Sequence, residues 1–194
     1  MNIETISHYI DVYGYFIIFL FLFFGIVGIP APEESLLFLI GVLVLHNQLS
    51  FGTAIISAML GSFMGMISAY FCGRYLGNPF INKYGKYLGI TKERVEAVKR
   101  KYSINIHKTI LFGFYMPGIR QINPYFAGVI NISFQTYVLL SFLGSLLWTV
   151  PFVLSGYYFS RVFHVNASYV PYVGLLFLAI LLIRVITKHI RKRM

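Results

Sequence analysis

The chain has 194 residues, 58% of them hydrophobic and only 11% charged, with a formal net charge of +10. Soluble domains run at about 45–50% apolar and about 25% charged, so this composition excludes an ordinary soluble fold and fits one domain solvated by lipid. The positive charge does not point to nucleic acid, because it gathers in two blocks beside long apolar runs; the single cysteine, Cys72, excludes an intrachain disulfide and a cysteine metal cluster, and as a free cysteine in an apolar helix it is expected to be a small packing residue.

A spanning helix needs about 20 mostly apolar residues, and the first candidate covers 12–28. No basic segment precedes it and no small-residue cleavage site follows, so it reads as a retained span. Pro30 and Pro32 then disfavour continuation of that helix. Glu33 and Glu34 follow in the first turn of the next helix, where its dipole favours acids. They are the only acids in the apolar body, since Glu4 and Asp11 are N-terminal and Glu93 and Glu96 lie in a polar loop. The apolar stretch 33–48 is too short to span and is expected to be a re-entrant hairpin, ending at His46 and Asn47.

The next span is 51–73, in which Gly61 and Gly65 form a G-x-x-x-G pair that lets helices approach closely. Arg74 sits at its end. The polar stretch 78–103 reads as a basic loop with a surface helix over Lys92–Lys99, capped by Thr91. Eight of the sixteen basic residues fall between Lys83 and Lys108, and five more lie between Arg184 and Arg193. The positive-inside rule puts both blocks, the loop 83–108 and the C-terminus, in the cytoplasm. Trp148 and the fifteen tyrosines read mostly as interface anchors.

The segment 104–131 is broken in its middle by Met116-Pro117-Gly118-Ile119-Arg120. Short or Gly/Pro-broken apolar segments in corresponding places mark transporter binding sites. Spans 134–159 and 169–187 and a basic tail 188–194 complete the chain. Parity requires 104–131 to enter and leave on the cytoplasmic side, with the 33–48 hairpin dipping from outside. The expected fold is therefore an all-α polytopic membrane protein of one domain. About four spanning helices and two opposed re-entrant hairpins would form an inverted repeat.

Intramembrane charges usually face a pathway or a partner. Arg120 carries a permanent charge whose fork fits phosphate oxygens, so its natural partner is an anion, either a lipid phosphate or Glu34. Gly118, Arg74, Gln121 and Asn123 are candidates to help bind the phosphate, with Pro30, Pro32 and Pro117 shaping the breaks. Glu34 and Glu33 are candidates to couple protons. No catalytic residue, metal or cofactor is expected.

Three stretches together resemble the DedA family of bacterial membrane proteins, the SNARE-associated or VTT-domain superfamily. They are Gly28-Ile-Pro-Ala-Pro-Glu-Glu-Ser-Leu, Gly61-x3-Gly65 with Tyr70-x2-Gly73-Arg74-x2-Gly77, and Phe114-Tyr-Met-Pro-Gly-Ile-Arg120 with Ala127-Gly128. In that frame Glu34 takes the family's acid position and Glu33 a variable one. Met66 stands where many members have Asp, Phe114 where many have a first arginine, and His46 near a second acid. The resemblance is to the reduced, Gram-positive-type branch, which implies a one-arginine site. It also implies a bacterial cytoplasmic membrane location and movement of undecaprenyl phosphate back to the cytoplasmic leaflet, coupled to the proton-motive force. Phosphatidylethanolamine or another phospholipid is the alternative cargo. A proton-coupled ion or drug transporter and an undecaprenyl-pyrophosphate phosphatase are further alternatives. The phosphatase lacks support in Pro117-Gly118-Ile119-Arg120-Gln121, which has no hydroxyl beside the arginine. The expected partners are an anionic phospho-lipid and membrane lipids, with a homo-oligomer left open.

Overall fold

The computed structural model describes residues 3–29, 31–84, 105–116 and 119–163. Within them the chain is all-helical: α1 Ile3–Val27, α2 Glu33–Leu45, α3 Phe51–Tyr84, α4 Ile106–Gly113, α5 Ile119–Val129 and α6 Phe134–Phe163. Two of these carry stretches long and apolar enough to cross a membrane, Phe51–Gly77 and Phe134–Phe163, and α1 contributes the shorter apolar stretch Tyr13–Val27. The expected span 169–187, the tail 188–194 and most of the basic loop 78–103 lie outside the described residues, as do Pro30, Pro117 and Gly118.

The distribution of side chains is that of a lipid-solvated body. On α6, Leu139 and Leu147 are more than half exposed while Ser141, Ser145 and Thr149 are buried. Water as solvent would favour the reverse; in lipid the polar groups turn inward.

The broken segment 104–131 is two short helices, α4 and α5, separated at 114–118. The stretch 33–48, expected as a hairpin, is instead one thirteen-residue helix and a turn. It has no internal breaker, and its chain reversal comes only after Leu45, where Asn47 takes a φ of 57° and the Gln48 N–H closes on the Leu43 carbonyl. The break lies before it, at 28–32, where the chain leaves α1.

Helix α2 packs chiefly on α6, and α5 on α3, while α1 lies along α3. Gly61 and Gly65 of α3 meet the backbone of α1 at Phe19 and Phe23, the close approach expected of that pair. The other two interfaces repeat one another residue for residue. Gly156 of α6 lies on the Phe38 carbonyl of α2, and Gly73 of α3 on the Tyr125 carbonyl of α5. Reciprocally, Gly41 lies on Val153 and Gly156, and Gly128 on Tyr70 and Gly73. Tyr125 and Gly128 each stand 87 residues after Phe38 and Gly41; Val153 and Gly156 each stand 83 after Tyr70 and Gly73. The helix pairs α2–α6 and α5–α3 are thus two copies of one arrangement within a single chain.

A methyl group at Gly41 or Gly128 would fall on a backbone carbonyl of the facing helix, whereas at Gly52 it would meet nothing within 4 Å. Gly41→Ala and Gly128→Ala should each lower stability by about 1–3 kcal/mol, the usual cost of overpacking. Gly52→Ala should leave the melting temperature in detergent unchanged or slightly raised. Equal melting of all three would contradict these interfaces.

Candidate functional site

The same offset of 87 residues relates Glu33 to Arg120 and Glu34 to Gln121. Each pair sits in the first turn of its helix, α2 or α5. These equivalent residues touch one another: Arg120 Nη2 lies 3.4 Å from Glu33 Oε2. The guanidinium therefore lies where the two copies meet. Its other nitrogen, Nη1, donates to Glu34 Oε1 at 2.6 Å and to the Phe114 carbonyl at 3.2 Å. Its plane lies over the Trp148 ring, 4.4 Å from guanidinium carbon to ring centroid. A desolvated contact of that kind contributes about 2 kcal/mol.

The two acids are not equivalent. Glu33 is fully buried and its carboxylate oxygens accept no hydrogen bond, so the Arg120 charge is what compensates it. The Glu34 side chain keeps 30% of its surface exposed and holds the shorter contact. Space around Glu33 comes from Gly25 of α1, where an added Cβ would lie 2.6 Å from Glu33 Oε1. A cation in the first turn of α5 opposes the helix dipole. Arg120 is held there by two carboxylates, a ring face and a carbonyl.

The remaining candidates are placed elsewhere. Gln121 donates to the Gly25 carbonyl at 3.2 Å, and the Tyr125 hydroxyl, one turn on, donates to the Val27 carbonyl. Together they satisfy carbonyls of the last turn of α1, which no intrahelical N–H reaches and which lipid would leave unpaired. Asn123 donates to the Thr109 carbonyl and ties α5 to α4. Arg74 is exposed, donates to the Tyr70 hydroxyl, and has its backbone against Gly128. Gly128 is eight residues beyond Arg120 on α5, about 12 Å along the axis at about 1.5 Å per residue. The structure thus brings together Glu33, Glu34 and Arg120, and sets Arg74 apart. Phe114 and Met66, at the positions expected from the resemblance to carry an arginine and an acid, are wholly buried in the apolar core.

Trp148, expected as an interface anchor, is fully buried beneath Arg120. Its signal in the sequence was position, since it lies in the middle of a span and not at an end. Gly25 and the Phe114 carbonyl gave no sequence signal, because what they contribute is space and a backbone atom. Cys72, expected as a buried packing residue, is exposed.

Removing Arg120 should strand Glu33. Arg120→Leu should lower stability by about 3–5 kcal/mol, the usual consequence of leaving a buried charge unpaired. Arg120→Leu combined with Glu33→Leu should recover most of that loss in a detergent melting assay. If the single variant melts like the parent, the ion pair does not hold α2 to α5.

The model of the VTT domain matches residues 29–158, most of the chain. The "Uncharacterized membrane protein YbfM" of Bacillus subtilis is 33% identical over 79% of this chain and 94% of its own length. "Undecaprenyl phosphate transporter A" of the same organism is 31% identical over 64% of this chain and 63% of its own. "Protein DedA" of Escherichia coli K12 is 28% identical over 82% and 74%. No solved structure matches the chain. Matched over the breaks, both acids, Arg120 and the repeated helix interfaces, this chain is a membrane protein of the VTT-domain, or DedA, family.

Proposed function

We propose that the protein is a lipid translocase that moves undecaprenyl phosphate across the bacterial cytoplasmic membrane, returning the carrier to the cytoplasmic leaflet. The observation that carries this reading is a buried guanidinium with one replaceable partner. Arg120 is fixed by Glu33, Trp148 and the Phe114 carbonyl, while its strongest contact is to the partly exposed Glu34. A phosphate monoester offers the same oxygens as Glu34 and more charge. The relative named for undecaprenyl phosphate transport supports this cargo over another phospholipid.

In this reading the two halves lie inverted in the membrane, with the breaks at 28–32 and 114–118 near the midplane and the basic loop 83–108 and C-terminus in the cytoplasm. Protonation of Glu34 on the outer side frees Nη1, and the lipid phosphate takes its place. Glu33 stays on Nη2 throughout and keeps the guanidinium aimed. Loss of the proton to the inside restores carboxylate at Glu34, which competes the phosphate off. The proton-motive force thereby sets direction. Lipid exchange needs no bond made or broken, so no catalytic residue is required.

Reconstituted liposomes carrying undecaprenyl phosphate test this. Arg120→Ala should lower translocation at least tenfold, a loss of about 1.4 kcal/mol or more of binding. Glu34→Gln, a mimic of the protonated acid, should keep lipid binding but lose the response to an imposed proton gradient. Wild-type transport by both variants would end the proposal. Preferential movement of phosphatidylethanolamine would reassign the cargo, and release of inorganic phosphate from the pyrophosphate lipid would indicate an enzyme.

A further inference from the structure

A groove of about 540 Å³ opens between α3 and α5, lined by Gly73, Leu76 and Gly77 on one side and Gln121, Tyr125 and Val129 on the other. Its lining is apolar except at one end, where Gln121 and Tyr125 reach across to the last turn of α1. That end is separated from the charged centre by a single residue. Gly25 accepts the Gln121 hydrogen bond on one side and abuts the Glu33 carboxylate on the other. The volume lies within the range of about 300–1,000 Å³ typical of small-molecule sites.

The internal repeat offers a comparison for the groove. In the copy formed by α2 and α6, the residues equivalent to Tyr125 and Leu76 are Phe38 and Phe159. Those two rings pack together at 5.4 Å between centroids, across the interface where the α3–α5 copy has its opening. Leu76 is 64% exposed, against 45% for Phe159, and makes no ring contact of that kind. Among the described residues, one half of the molecule therefore places a ring pair at the positions where the other half has Tyr125 and Leu76 beside the groove.

We propose that this groove holds the hydrocarbon chain of the same phospho-lipid whose phosphate is bound at Arg120, so that the protein grips both ends of its cargo's polar–apolar boundary. The inference rests on the head-group reading above. It commits to the isoprenoid chain of that lipid as occupant, because the groove is apolar and open to the surroundings, and because only Gly25 stands between its polar end and the charged centre. Sterically, the methyl-branched chain would lie over the glycine floor between Leu76 and Val129. Specificity for a long lipid over a short phosphate would come from this groove, not from Arg120.

Two residues present once in the chain report on the two ends separately. Cys72 lines the groove and is exposed, whereas Trp148 underlies Arg120. The full chain in detergent micelles is treated with N-ethylmaleimide and the alkylation of Cys72 followed by intact mass. Undecaprenyl phosphate should slow alkylation at least fivefold. Geranyl phosphate and inorganic phosphate should not, although geranyl phosphate should still change Trp148 emission. Leu76→Phe, which copies Phe159 into the groove, should weaken undecaprenyl phosphate binding at least tenfold and geranyl phosphate binding little. If undecaprenyl phosphate shifts Trp148 emission but leaves Cys72 alkylation and the Leu76→Phe variant unaffected, the groove proposal is overturned and the head-group reading stands. If neither reporter responds to any of the phosphates, the head-group reading fails and the groove proposal with it.

Discussion

A guanidinium that cannot lose its proton and cannot reach water must be paired, and Arg120 is 2% exposed. Much of the centre of the molecule follows from that constraint. Two consecutive acids in the first turn of α2 supply charge; Gly25 leaves room for one of them; Trp148 covers one face of the cation and the Phe114 carbonyl shares Nη1 with Glu34. The arrangement binds a cation very well in static terms, but one of its members is only partly buried. A partner that water or lipid can still reach is a partner that another anion can replace. The asymmetry between Glu33 and Glu34 is what leaves one contact of Arg120 open to exchange, and the proposed function rests on it.

The internal repeat explains where this centre lies. Glu33 and Arg120 hold equivalent positions in the two copies, and they meet. Two copies with the same charged residue at this contact would set like charges against each other. The two copies have kept the glycines that bring their helices together, at 41, 73, 128 and 156. They differ in charge at the centre and in bulk at the edge, where Phe38 and Phe159 on one side answer Tyr125 and Leu76 on the other.

A good part of this was legible in the sequence, because hydrophobic length and buried charge are local signals. The broken segment at 114–118, the spans over 51–73 and 134–159, and the partnership of Arg120 with an acid at Glu34 all came from such signals. The depth of Glu33 did not, since two adjacent acids in a first turn look alike until a facing helix buries one of them. Nor did the continuity of 33–45 as one helix, because a short apolar segment without Gly-Pro inside reads equally as half a hairpin. The hydrogen bond that Gln121 makes in the fold was hidden for a related reason. An amide beside the key arginine suggests ligand binding, yet the nearest unmet need was the carbonyl of Gly25 at the end of α1.

In the proposed cycle a lipid phosphate replaces Glu34 on Arg120 while Glu33 stays. Solid-state phosphorus–nitrogen dephasing on arginine-labelled protein in nanodiscs, with undecaprenyl phosphate bound and Arg120→Lys for assignment, reads that contact directly. The expected result is dephasing of the Arg120 guanidinium by the lipid phosphorus, absent in the lysine variant. Bound lipid without dephasing at Arg120 would contradict it.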